Sequence, residues 1–347
     1  MSTFHLKYYL FSNIIYFEFN PDGKDVKQLL RKNIRQAVRR TDFLLMIITL
    51  ALSVFGIIMV SSATFSSAAI FSRDARVMVL ALGLGLAASI VISLIDYDII
   101  LKLWPLVAGG SVLVMLSLFV IGVSPDGRSD AISWIKIGSL YFQPSEIVKI
   151  GFIITFAFHL SKVKNNISEF KNVMYLCIHA AIPIFLVIRT GDMGSALIFI
   201  IMFIGMMFTA GVNWLYFPAG AIIVAAASPV IWLKVFDDIQ RNRILALFNP
   251  EEYSTEIYQQ NQALKAIANG GFSGMGLFHG KLAHSDLLPE KENDMIFSVI
   301  CEELGLIGAI AILLLFLLLL WRLFVIAVNA PDLFGSLIAV GVMTHIA

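Results

Sequence analysis

Apolar runs of membrane-crossing length, repeated along nearly the whole chain, leave few folds open. They fall at about 42–63, 76–95, 102–122, 146–161, 172–189, 193–210, 214–235 and 295–325. A helix needs about 20 apolar residues to cross a bilayer. No water is available there to pair backbone N–H and C=O groups, so such runs read as helices. A ninth run begins near 333, and the sequence ends inside it at Ala347, which reads as an incomplete span. The chain is 59% hydrophobic and only 14% charged, whereas a soluble domain is about a quarter charged. The expected fold class is an all-α polytopic membrane protein. A net charge of +1 offers no basic footprint for nucleic acid.

Residues 1–41 form a basic N-terminal segment. An aromatic stretch from His5 to Phe19, too short and polar to span, is suited to the membrane surface. Lys24, Lys27, Arg31, Lys32, Arg35, Arg39 and Arg40 follow it, directly before the first span. Basic residues there put the N-terminus in the cytoplasm. Counting spans from that start places Lys162, Lys164, Lys171 and Arg322 inside, as the same rule requires. Arg73, Arg76 and Arg128 fall outside, against it. No small-residue cleavage site follows the first span, so no cleavable signal is expected.

Two outside segments are long. One, 122–145, holds Gly, Pro and Asp turns and then the alternating stretch WIKIGSLYF. The other, 236–294, has a helical-looking part from Ile257 to Ala268 and a glycine cluster, NGGFSGMGLFHG. Long ordered loops are usually functional, and the glycines imply tight turns or close approach to a ligand. No Gly-Lys-Ser/Thr follows, so the cluster is not a phosphate loop. Cys177 and Cys301 lie in apolar runs and read as buried thiols.

Polar residues gather where spans begin. In LLPEKENDMIFSVICEELG, from Leu287 to Gly305, Asp294 stands where the outer rim gives way to an apolar helix. Asp favours helix N-caps, and capping alone is the plain reading of it. Glu290, Glu292, Glu302 and Glu303 crowd the same entry, and charges inside a span are costly and usually functional. Gln143-Pro144-Ser145-Glu146 opens the fourth span, with Pro and Ser suited to a helix start. Glu146 and Lys149 are three apart, on one face, so either a structural ion pair or a binding pair fits. Asp192 in RTGDMG is best read as a cap, with cation or sugar binding as the alternative. Arg241, Arg243, Lys265 and Lys281 share the long loop, where Arg suits phosphate. His279 and His284 lack the ligand spacing of a metal site. His159, His179 and His345 read as packed groups within spans or at their ends.

Four stretches together resemble the SEDS family (RodA, FtsW and SpoVE), the polytopic peptidoglycan glycosyltransferases. They are WIKIGSLYFQPSEIVKI, GDMGSALIF, RILALFNPEEY with IYQQNQALKAIANGG, and LLPEKENDMIFSVICEELG, in that order. The resemblance covers most of 42–347. It implies a SEDS-type helical bundle of about ten spans, here stopping in the ninth, with an extracellular loop 236–294 before the eighth span. The family's Pro-Leu-Pro-Phe and Ser-Tyr-Gly-Gly motif would lie beyond Ala347. The family's essential acid falls on Asp294, in Asn-Asp-Met rather than Thr-Asp-Phe. Its Glu and Lys after Gln-Pro-Ser fall on Glu146 and Lys149, and its loop Arg falls on Arg243.

The resemblance also implies an activity: polymerisation of lipid II at the bacterial cytoplasmic membrane, in cell elongation, division or sporulation. Asp294 would be the general base. Glu146, Lys149, Arg243, Asp192, Glu290 and Glu302 would bind substrate, and a magnesium or manganese ion held by carboxylates is the candidate cofactor. The implied partner is a class B penicillin-binding protein, alongside other elongation or division proteins and membrane lipids. Two alternatives remain on the residues alone. One is a lipid-precursor flippase or ion-coupled carrier using the intramembrane acids and Lys149. The other is a non-catalytic scaffold of a cell-wall synthesis complex.

Overall fold

Every expected apolar run is a helix in the computed structural model, which describes residues 41–65, 72–95, 97–124, 132–138, 140–236, 238–253, 257–285 and 287–347. The aromatic and basic segment up to residue 40, and Arg128, lie outside these. The order is α1 (Phe43–Ala63), α2 (Arg73–Leu94), a short α3 (Tyr97–Lys102), α4 (Trp104–Ile121), a three-stranded sheet, α5 (Pro144–Lys162), α6 (Phe170–Arg189), α7 (Met193–Thr209) and α8 (Tyr216–Lys234). After α8 come α9 (Asp238–Leu245) and α10 (Tyr258–Gly270) in the long loop, then α11 (Ile296–Val328) and α12 (Leu333–Ile346). The strands are β1 (Gly122–Val123), β2 (Trp134–Ile137) and β3 (Leu140–Phe142), all antiparallel, with Ile135 opposite Phe142. The alternating WIKIGSLYF stretch supplies β2 and β3.

Among the described residues six helices, α1, α2, α4, α6, α8 and α11, are long and apolar enough to cross a membrane, and α7 and α12 are shorter apolar helices. The exception is α5, and its packing explains why. Val148, Phe152, Phe156 and Leu160 bury one side of α5 against α4, α6, α7 and α12. A helix packed on several sides by protein need not be apolar all round, so Lys149 and His159 are tolerated, while Glu146 lies exposed in the first turn. At the other extreme α8 buries no residue and α2 only Ala75. Cys301 is buried but Cys177 is exposed on α6, correcting the expectation of two buried thiols. In a lipid-crossing helix an apolar position can face the membrane instead of the core.

Two cores result. The larger joins α4, α5, α6, α7 and α12 through residues such as Phe156, Phe199, Met206 and Leu337. The smaller joins α1, α10, α11 and the loop through Met59, Ala266, Ala283, Leu288 and Val299. Inside the larger core His159 Nδ1 lies 3.1 Å from His179 Nδ1, and Thr155 Oγ1 lies 3.2 Å from His179 Nε2.

Contacts between helix ends orient the bundle. Asp42 caps α1, accepting from the Leu45 N–H at 3.0 Å, and pairs with Arg322 near the end of α11 at 2.7 Å. The Arg322 hydrogen bond holds the Asp42 carboxyl below the ordinary carboxylate range. At the opposite end of the same two helices, Ser62 donates to Glu303. From its Arg322 end the chain returns through α12, whose His345 lies within electrostatic reach of Lys149 and Glu146. Glu146 and Lys149 are therefore at the Glu303 end of the bundle. Gln143 donates to Asp192 there, and α7 and α8 then run away and back, so α9 with Arg243 is at that end too.

Candidate functional site at one end of the bundle

Five of the six residues expected to bind substrate, and Asp294 itself, come from the first two turns of helices or from the segments before them, and all lie at the Glu303 end. In α5, Pro144 occupies the first turn, where its missing N–H costs nothing. Lys149 Nζ donates to Glu146 Oε1 at 2.7 Å, with side-chain exposures of 3% and 51%. The ammonium is thus held inside the bundle while its carboxylate faces outward. Asp192 caps α7, its Oδ1 accepting from the Ser195 N–H at 2.9 Å. Its Oδ2 accepts from Gln143 Nε2 at 2.7 Å. The same carboxylate thus joins the start of α5 to the start of α7, with Oδ1 taken by the cap and Oδ2 by Gln143.

Asp294 does not cap α11, contrary to the sequence expectation. The helix begins at Ile296, with Met295 in the cap position and no side-chain capping bond. The reason lies in the turn before it. The Glu290 carbonyl accepts from the N–H groups of both Asn293 and Met295, at 3.1 and 3.0 Å, and Asn293 accepts from Ile296 N–H at 3.3 Å. These backbone bonds take the place of a side-chain cap and leave Asp294 outside the first turn. Its carboxylate is exposed and makes no hydrogen bond or ion pair among the described residues. Glu290, also exposed, has φ 50° and accepts from Asn293 Nδ2 at 3.0 Å, stiffening the same turn.

Glu302 and Glu303 are a different kind of acid: both are fully buried. Glu302 accepts from the backbone N–H groups of Leu282 and Ala283, at 2.9 and 2.8 Å, and from Asn269 Nδ2 at 3.3 Å. Its oxygens are occupied by protein donors, so Glu302 fastens the loop rather than presenting a surface to a substrate. The glycine cluster serves the same junction. Met275 and Gly276 donate backbone bonds to the carbonyls of Glu302 and Glu303, both at 2.9 Å. The close approach that the glycines allow is to the backbone of α11. That helix breaks its regular geometry at Gly305, φ 66°, where it meets Gly274 and Phe272.

The residues form separate groups rather than one contact network. Glu146 with Lys149, and Asp192 with Gln143, belong to the α5–α7 side. Glu290, Asp294 and Glu302 belong to the loop and α11. Arg243 is exposed on α9. Its neighbour Arg241 donates to the carbonyls of Trp232 and Leu233, capping the C-terminus of α8, and pairs with Asp238 at 3.2 Å. His279 Nδ1 lies 2.7 Å from the Leu277 carbonyl. No group of three or more His, Cys, Asp or Glu capable of holding a metal occurs among the described residues. Sequence reading missed Ser62, which meets Glu303 from 241 positions away; the one local hint is a pair of serines at the end of an apolar span.

Comparison with known proteins gives concordant matches. The family model FTSW_RODA_SPOVE, described as "Cell cycle protein", matches residues 43–347. Stage V sporulation protein E of Bacillus subtilis (strain 168) is 34% identical over 321 residues, covering 88% of this chain and 84% of that protein. A probable peptidoglycan glycosyltransferase FtsW of Geobacter metallireducens is 34% identical over 315 residues, covering 88% and 82%. Peptidoglycan glycosyltransferase MrdB of Escherichia coli (strain K12) is 33% identical over 211 residues, covering 60% and 57%. Among solved structures, a chain of a peptidoglycan synthase complex superposes with a TM-score of 0.73 at 24% identity, covering 88% of this chain and 84% of that one. The rod shape determining protein RodA of Thermus thermophilus gives 0.62 at 22% identity, covering 88% and 81%. At these identities the structural likeness establishes the shared fold.

Proposed function

The chain belongs to the FtsW–RodA–SpoVE family of polytopic membrane proteins, and from that premise we propose that it is a peptidoglycan glycosyltransferase that polymerises lipid II. Relatives named as peptidoglycan glycosyltransferases support the reaction class. The observation that carries the assignment to this chain is the Asp294 carboxylate. It is exposed, unengaged among the described residues, and at the same end of the bundle as the Glu146–Lys149 pair.

In the proposed step the 4-hydroxyl oxygen of one disaccharide attacks the anomeric carbon of another. The new C–O bond forms, the bond from that carbon to the lipid pyrophosphate breaks, and Asp294 takes the hydroxyl proton. A base must come within hydrogen-bond reach of that proton, and a carboxylate with no competing donor is free to do so. The leaving pyrophosphate carries the displaced electron pair. Lys149 and Arg243 are the cations proposed to neutralise it, Arg243 through two parallel hydrogen bonds. Glu146 would hold the ammonium in place, and Glu290 would shape the turn around the acceptor sugar. Asp192 acts in this reading by fixing α5 against α7. Among the described residues no three His, Cys, Asp or Glu side chains gather to hold magnesium or manganese.

The assay is polymerisation of purified lipid II in detergent by the full-length protein, with and without a class B penicillin-binding protein of the same cell. Glycan polymer without a bilayer is the expected product. A carrier or a scaffold would make none. The proposed setting is the bacterial cytoplasmic membrane, with the Arg322 end in the cytoplasm, because Lys102, Lys162, Lys164 and Lys171 gather at that end. A cysteine at Glu251 should then react with an impermeant maleimide in intact cells and one at Lys164 should not; the opposite pattern would put Asp294 on the wrong side.

A further inference from the structure

The 272–285 segment lies across the start of α11 and is tied down at Gly274, Met275, Gly276, Phe278, Gly280, Leu282 and Ala283. Gly274 donates to the Gly270 carbonyl, and Met275 and Gly276 donate to Glu302 and Glu303. Phe278 N–H donates to Ser62 Oγ at 3.1 Å, and the same hydroxyl donates to Glu303, 2.6 Å from Oε2 and 2.8 Å from Oε1. Gly280 N–H reaches Glu303 at 3.4 Å, His284 Nε2 lies 3.3 Å from it, and Leu282 and Ala283 bind Glu302. Two adjacent carboxylates and one serine hydroxyl thus fasten three elements, α1, α11 and the loop.

Two features exceed what fastening alone requires. Phe278 has φ 64°, a conformation costly for a bulky side chain and retained only where its surroundings enforce it. Ser62 accepts its backbone N–H, and the Phe65 ring packs edge-on against its ring at 5.4 Å. In addition, two fully buried carboxylates carry a desolvation cost that an apolar contact would avoid. An apolar contact, though, cannot specify which amide sits where, whereas Glu302 Oε1 here takes the Leu282 N–H and Oε2 the Ala283 N–H. The strap also runs straight into the catalytic turn. Leu288 is buried in the smaller core, and Lys291 Nζ donates to the Ser285 carbonyl at 3.2 Å. A shift of the strap is therefore passed toward Asp294 through Leu288 and the Lys291–Ser285 bond.

We propose that Ser62, Glu302 and Glu303 are positioning residues, which set the strap on α1 and α11 and through it the place of the Asp294 carboxylate. The proposal rests on the glycosyltransferase reading for its activity arm and on geometry alone for its structural arm. Misplacing a reacting group by about an ångström costs roughly 10²-fold in rate.

The test is Ser62→Ala in the full-length protein, read by hydrogen exchange over 276–284 and by lipid II polymerisation. Exchange there should quicken about tenfold, the loss expected for a hydrogen bond to a charged group, while α7 stays unchanged. The kcat should fall roughly 10- to 100-fold with KM nearly constant. Glu302→Gln keeps the shape but loses one strong acceptor, and should give the same split should Ser62→Ala not fold. Unchanged exchange overturns the strap. Quickened exchange with normal kcat overturns the positioning role and leaves a structural fastening. Wild-type protein that makes no polymer overturns the activity reading and the positioning role with it, while the exchange arm still decides the strap.

Discussion

Asp294→Asn should lower lipid II polymerisation by about 10²–10⁴-fold, the usual contribution of a general base, and should leave folding untouched. Both halves follow from where the carboxylate stands. Had Asp294 capped α11, removing its charge would have altered the first turn, and a loss of rate could be blamed on structure. The first turn instead begins at Ile296, and the bonds at its entry run between backbone groups of Glu290, Asn293, Met295 and Ile296. Asn has the same size, and Asp294 has no bond among the described residues that Asn would lose. The thermal midpoint and the exchange of α11 amides should therefore match wild type. Lipid II binding should persist, because Asn still presents an oxygen acceptor and the proposed cations Lys149 and Arg243 are unchanged. A folded Asn variant polymerising at near the normal rate would remove Asp294 from catalysis and return it to an ordinary exposed turn residue.

How far the site was legible depended on whether its partners were near in sequence. The spans follow from length and hydropathy, because a bilayer forces the backbone to pair within each segment. The strands β2 and β3 follow from the alternation of WIKIGSLYF, the Glu146–Lys149 pair from i,i+3 spacing, and the Asp192 cap from an Asp placed before an apolar run. Each depends on residues within a few positions. Asp294 was misjudged as a cap by the same logic, because the turn that displaces it is closed by backbone groups that carry no side-chain signal. Glu302 and Glu303 were legible as costly charges and not as fasteners. Their donors Leu282, Ala283 and Ser62 lie 20, 19 and 241 positions away, and two of the three donate through backbone. The glycine cluster gave close approach but not its object, since a glycine that admits a ligand and one that admits a helix look alike in sequence.

That object gives the second large effect. Gly270→Ala should destabilise the loop–α11 junction by about 3 kcal/mol, the upper range for overpacking, against an expectation of opposite sign. Gly270 ends α10, where Ala is the better helix former by about 0.8–1 kcal/mol, and Ala also restricts the unfolded chain. Local propensity thus predicts a gain. Packing predicts a loss, because a Cβ at Gly270 would overlap the carbonyl oxygen of Cys301 and stand 3.0 Å from the Glu302 Cα. These are backbone atoms of a helix and cannot rotate away. α10 would have to lift from α11, taking with it the Asn269 bond to Glu302 and the Gly274 bond to the Gly270 carbonyl. The control is Gly83→Ala on α2, where no atom lies within 4 Å of the new Cβ and propensity acts alone, so that variant should be neutral or slightly more stable. Thermal unfolding of both, with exchange over 258–285, decides the sign. If Gly270→Ala is as stable as Gly83→Ala, α10 is not seated on α11, and the strap cannot hold the Asp294 turn in place.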